Sequence, residues 1–175
     1  MQQFKELNGY PTSMSATTAL SRLTEGIGFR YYWGTEGLTD ADVSYSPGNE
    51  GRTVYETMDH IYYMAIFVAN TLEGKPTSFP ESASGLEYAA LRNATLEKLS
   101  QIRALLDANK DQDLGENKVT GTVAGDPFEA PIWHLINGPV LDLGHHIGQL
   151  IMLRRLSGNP IDPNVQPFMG KNMAA

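Results

Sequence analysis

The sequence predicts an all-α fold, a four-helix bundle over one domain spanning residues 1–175. Three observations carry that reading. Four segments place apolar residues three and four positions apart, the spacing of a helix with one buried face. Capping residues, glycines or prolines bound those segments. Between them, Val119-Thr120-Gly121-Thr122-Val123 reads as extended, but it is too isolated to imply a sheet.

Composition sets the outer limits. A chain of 175 residues is long enough for one real core. Its 41% hydrophobic content and mean hydropathy of −0.29 are those of a soluble globule. A net charge of −7 and a pI near 5.0 leave no basic patch for a phosphate backbone, so nucleic acid is not an expected partner. No apolar run approaches about 18 residues, so no membrane span is expected. Met1-Gln2-Gln3-Phe4-Lys5-Glu6 has no apolar h-region, so no secretory signal is read and the cytoplasm is the default location. With no cysteine, the chain has no disulfide, thiolate ligand or cysteine nucleophile of its own.

Residues 1–12, with Gly9 and Pro11, form a lead-in. Ser13 or Ser15 caps a first helix with Leu20, Leu23, Ile27 and Tyr31 on its apolar side, closing in Tyr31-Tyr32-Trp33. A loop from Thr39 to Arg52 follows, in which Asp40, Asp42 and Glu50 read as solvated. The second helix opens on the capping box Thr53-Val54-Tyr55-Glu56 and buries Val54, Met58, Ile61, Ala65, Val68 and Leu72. Glu56, Asp59 and Asn70 take its opposite side, while His60 sits at the edge of the stripe, facing a helix–helix seam. Taken alone, His60 has the simpler reading of a hydrogen-bonded core histidine. A loop from Glu73 to Ser84 leads to a third helix, about Gly85 to Asn109, with Leu86, Ala89, Ala90, Leu96, Leu99, Ile102, Leu105 and Leu106 as candidate core. Asn93-Ala94-Thr95 matches a glycosylation sequon but lies mid-helix, and we discount it. Lys110 to Asn117 is a polar connection, and Pro127 to Ile136 leads into the last helix.

That last helix runs from Pro139 to Ser157, about 19 residues and roughly 28 Å. Pro139 suits its first turn, and Ser157-Gly158-Asn159-Pro160 ends it. On a wheel of about 100° per residue, Asp142, His145, His146 and Gln149 head the stripe that Leu153 and Leu156 continue, so they are expected to face a core. A buried carboxylate and imidazole are costly unless they pair or hold a cation. Asp142 and His146, four apart, share a face and can grip one ion. Leu143, Ile147, Leu150 and Ile151 make the back apolar too, which favours either a partner subunit, hence a homodimer, or cover by the tail after Pro160.

His60 with Asp142 and His146 makes two histidines and a carboxylate, a donor set for zinc, nickel, iron(II) or manganese. Three protein ligands leave coordination positions for water or substrate. The alternative is a metal-free Asp–His hydrogen-bonded pair. No G-x-S-x-G, H-E-x-x-H or P-loop sequence is present.

Trp133-His134-Leu135-Ile136-Asn137-Gly138-Pro139, then Asp142-Leu143-Gly144-His145-His146-Ile147-Gly148-Gln149, then Arg154-Arg155 and Ser157-Gly158-Asn159-Pro160 resemble the DinB-like metalloprotein superfamily. Tyr32-Trp33, Leu38-Thr39 and the helix carrying Glu56 and His60 are similar to it as well. The resemblance implies an up-down-down-up bundle holding a divalent metal through His60, His146 and the residue at position 142. In the common pattern that residue is a histidine; here it is Asp142, as in a branch of the family with Gly-Asn-Pro after the helix. His145 and Gln149 are expected beside the ligands or toward substrate. The resemblance further implies a thiol-dependent transferase or isomerase, in which the metal activates a low-molecular-weight thiol for attack on a small-molecule substrate. A metal-dependent hydrolase and a non-catalytic, stress-associated metal-binding bundle are the alternatives.

Overall fold

The computed structural model describes residues 4–78, 83–109, 113–123 and 125–174. The expected loops where they cover residues 79–82 and 110–112, and the first three residues of the lead-in, lie outside the described residues.

Four long helices pack around one core: α1 (Ala16–Thr35), α3 (Val54–Leu72), α4 (Tyr88–Ala108) and α6 (Leu141–Leu156), with the short α2 (Asp40–Val43) and α5 (Trp133–Leu135) between them. The caps form as their sequences dictate. Ser15, Thr39 and Thr53 each accept from the third helical N–H, and Thr18, Asp42 and Glu56 reach back to complete capping boxes. At the other end of α6, Gly158 adopts φ +97°. Its N–H donates to Arg155 O and that of Asn159 to Arg154 O, a Schellman close that explains the Ser-Gly-Asn-Pro stop.

Side-chain bridges fix the helix directions. Ser21 Oγ donates to Asp107 at 2.6 Å and Arg92 Nε to Thr35 Oγ1 at 2.9 Å, so α1 and α4 are antiparallel. Tyr55 OH reaches Leu86 O at 2.8 Å and Gln101 Nε2 reaches Glu73 at 2.7 Å, so α3 and α4 are parallel. His60 meets the start of α6, whereas the end of α6 meets the segment before α3, so these two are antiparallel. The order is up-down-down-up, as expected.

Parallel α3 and α4 force their connection to run back along the bundle, and it carries β1 (Thr77–Ser78). β1 pairs in parallel with β2 (Lys118–Val123), which pairs antiparallel with β3 (Asp126–Pro131). This corrects two expectations: Val119–Val123 is the centre of a three-stranded sheet, and the stretch from Pro127 is mostly strand. The signal was weak because β1 has two residues and lies some forty positions away. Gly121 is required at the crossing, since a Cβ there would lie 1.8 Å from Thr77 O. The tail, expected to be irregular, holds a small hairpin of β4 (Val165–Gln166) and β5 (Lys171–Asn172).

Several side chains depart from the hydropathy reading. The buried face of α1 runs Thr17, Ser21, Thr24, Gly28, Tyr31 and Thr35, while Leu23 is 48% exposed. Threonine can line a core because its hydroxyl bonds its own helix, as Thr24 does to Leu20 O at 2.8 Å. α4 begins at Tyr88, three residues later than expected, after Gly85 turns through φ +70°. α6 begins at Leu141 because Gly138, at φ −102° and ψ −107°, breaks helical geometry and puts Pro139 in a wide turn (Ile136–Val140). Leu143, Ile147 and Leu150 are buried in this chain's own core, which removes the apolar back face that argued for a dimer. Leu156 is 55% exposed, so the polar stripe does not continue into buried leucine beyond Leu153.

Asp59 and Asp42, expected in solvent, are both buried. Asp59 accepts from the Ser84 backbone N–H at 3.1 Å and ties the end of the α3–α4 connection to α3. Asp42 accepts from Ser157 Oγ at 2.6 Å, Asn159 Nδ2 at 2.8 Å and Thr39 N–H at 2.9 Å. Burial works to raise its carboxyl, but these donors on Asn159, Ser157 and Thr39 hold it well below the usual carboxylate range. A carboxyl held low in the fold stabilises it fully above the unfolded pKa of about 3.9, and that contribution is lost as pH falls further. Asp42→Ala should therefore cost about 2 kcal/mol at neutral pH. Its gap from the unsubstituted protein in thermal unfolding should shrink below about pH 4; a pH-independent gap would overturn the assignment.

Candidate metal centre

The α3–α6 seam brings three donors together. α3 presents His60 one and a half turns in from its capping box. The first two turns of α6 present Asp142 and His146 on one face. Asp142 Oδ2 lies 3.1 Å from His60 Nε2 and 3.4 Å from His146 Nε2. One ligand atom from each residue falls within 4.8 Å of the others, and among the described residues no second trio does so. The His60 and His146 rings meet edge to face, with centroids 4.3 Å apart. His146 is buried, but His60 and Asp142 are half-exposed, so the group sits at the floor of an opening and not inside a sealed core.

The expected neighbours have defined places. His146 Nδ1 lies 2.7 Å from Gln149 Oε1, and since an amide oxygen only accepts, Nδ1 carries the proton and Nε2 keeps its lone pair toward Asp142. The other arm of Gln149 donates to His145 Nε2 at 3.0 Å. Gln149 thus orients both histidines. Burial pushes the His146 imidazole below its ordinary pKa, against the opposing pull of Gln149 and Asp142, so it stands neutral at pH 7. A neutral imidazole with its far nitrogen hydrogen-bonded is the form that ligates metals. Two imidazole nitrogens and a carboxylate oxygen at this spacing fit a zinc, nickel, iron(II) or manganese ion.

Two cavities adjoin the group. The larger, about 940 Å³, is lined at its floor by His60, Asp142 and His145. A smaller one, about 410 Å³, reaches His146 and Gln149 from the other side and is edged by Arg52 and Met152. Residues missed as functional in the sequence are His134 and Asn137, which line the larger cavity from the segment before α6, and Phe128, which lines it from β3. The hairpin position of Phe128 could be found only by pairing Val119–Val123 with the residues after Gly125. Among the described residues, no helix is long and apolar enough to cross a membrane.

Comparison with protein-family profiles finds no match, and comparison with curated proteins finds none. Among solved structures the chain is similar to YfiT from Bacillus subtilis, with a TM-score of 0.60 and 18% identity over 89% of this chain and 98% of that one. YfiT is described as a probable metal-dependent hydrolase with an unusual four-helix bundle topology. At that identity the likeness establishes the shared fold.

The hydrogen-bond relay makes a direct prediction. Long-range nitrogen–proton spectra of the imidazoles should show His146 protonated at Nδ1, and Gln149→Ala should remove that preference while leaving the helical content unchanged. A His146 protonated at Nε2 in the unsubstituted protein would refute it.

Proposed function

We propose that this chain is a metal-dependent enzyme of the DinB-like superfamily. In this reading His60, Asp142 and His146 hold a divalent cation where the larger and smaller cavities approach one another, and a thiol-dependent transfer or isomerisation takes place there. The observation that carries it is the meeting of three metal-binding donors from two helices, His60 and Asp142 lining the larger cavity and His146 the smaller. When bound, such a cation supplies Lewis acidity, lowering the pKa of a thiol or water beside it.

The chain's own residues account for the rest. Gln149 keeps the His146 lone pair aimed at the group, and Asp142 supplies the one anionic donor. His145, steadied by Gln149 and lining the larger cavity, is placed to carry a proton between reactants and solvent. Two cavities meeting at one group suit a reaction of two reactants, and Arg52 on the smaller one offers a cation to a carboxylate such as glutathione carries. A chain without cysteine needs the sulfur to arrive with a cosubstrate.

Hydrolysis is a second reading, favoured by the description of YfiT. It uses the same three residues with water as the nucleophile and requires no thiol.

His60→Ala and Asp142→Ala should each lower the affinity for zinc, nickel or manganese by at least about tenfold in calorimetric titration; unchanged affinity in both would overturn the site. Arg52→Ala should raise KM for an anionic thiol several-fold while leaving kcat nearly unchanged. Full turnover without any thiol would replace transfer with hydrolysis.

A further inference from the structure

The larger cavity is two-ended. Its polar groups, His60, Asp142, His134, Asn137 and His145, come from α3 and from the segment 134–145. The rest is largely apolar: Met64 and Phe67 from α3, Val119, Val123 and Phe128 from the β2–β3 hairpin, and Pro139 and Leu141 at the approach to α6. No lysine or arginine occurs among the residues described as lining it.

The hairpin wall has a specific construction. Val119, Gly121 and Val123 alternate onto one face of β2. Gly121 is barred from carrying a side chain by Thr77 O. Phe128 is its cross-strand partner, and the Phe128 ring lies 3.0 Å from where a Gly121 Cβ would stand. An aromatic ring therefore covers the glycine and faces the cavity, set by strand pairing and not by a flexible loop.

We propose that this cavity takes a small molecule with an uncharged, apolar body, its polar reactive end against His60 and Asp142 and its body against the hairpin wall at Phe128. The proposal rests on the reading that chemistry occurs at the three-residue group. A fixed charge on the body would lose its hydration against these walls with no cation to offset the loss. The volume suits it, lying at the upper end of the roughly 300–1,000 Å³ of small-molecule sites.

A matched pair of fluorescent probes tests this on the full-length protein: uncharged N-phenyl-1-naphthylamine and its anionic sulfonate, 8-anilino-1-naphthalenesulfonate. Titrations with and without chelator, with metal content measured on the same samples, keep this proposal separate from the catalytic reading. The uncharged probe should bind at least about tenfold more tightly, with or without metal, because the hairpin wall holds no ligand residue. Val123→Lys, at a position 49% exposed and so tolerant of the change, should weaken the uncharged probe and strengthen the sulfonate. Phe128→Ala should weaken the uncharged probe as well. Equal or tighter binding of the sulfonate by the unsubstituted protein, or no response to either substitution, would overturn the proposal even where metal binding holds. Probe binding as expected in a protein that takes up no metal would sustain the cavity's preference and remove the enzymatic reading alone.

Discussion

The arrangement depends on how α6 is held at its far end. Arg154 is buried, with Nε 2.6 Å from Asn159 O and Nη1 2.9 Å from Trp33 O, and its Nη1 also reaches Gly34 O at the carbonyl end of α1. That is where a helix dipole welcomes a cation. Asn159 then passes the connection to Asp42 on α2. One guanidinium, one amide and one carboxylate thus tie the ends of α1, α2 and α6 together. Because a helix is stiff, fixing its last turn also fixes the register of its first two turns against α3. That clamp and the buried Leu143, Ile147 and Leu150 together keep Asp142 and His146 opposite His60.

The clamp also accounts for residues whose charge looked like surface decoration. Asp42 lies in a polar stretch, where its capping box with Thr39 accounts for α2 but not for its burial. Beyond Thr39 its partners, Ser157 and Asn159, are more than a hundred positions downstream. Asp59 is likewise held by a residue outside its own helix, Ser84, 25 positions on. Hydropathy treats a carboxylate as solvent-facing by default, and a buried one becomes visible only when its donors are known.

What was legible follows the range of the forces involved. Helices α1, α3, α4 and α6 were readable because caps and period are local; Thr53 with Glu56 and Gly158 with Pro160 mark their ends within a few residues. The convergence of His60 with Asp142 and His146 was readable because helical spacing puts the last two on one face and the resemblance supplied the first. The sheet was not, since its first strand is two residues long and pairs across about forty positions. The burial of α1 was only half readable, because its inner face is built from threonine, serine and glycine. The openness of the site was not readable at all: its cavity is lined by the hairpin and by the wide turn at Gly138, and neither was visible in the helical pattern.

The division of labour between bundle and hairpin has an evolutionary reading. The three donors and their supports belong to helices whose register is locked at both ends. The opposing wall belongs to a hairpin outside the bundle's helices, seated on the core through Val119. Substitutions or length changes in that hairpin can alter what the pocket admits while the donors stay where they are. The scaffold is thus suited to diversification, one reactive floor serving many successive ceilings.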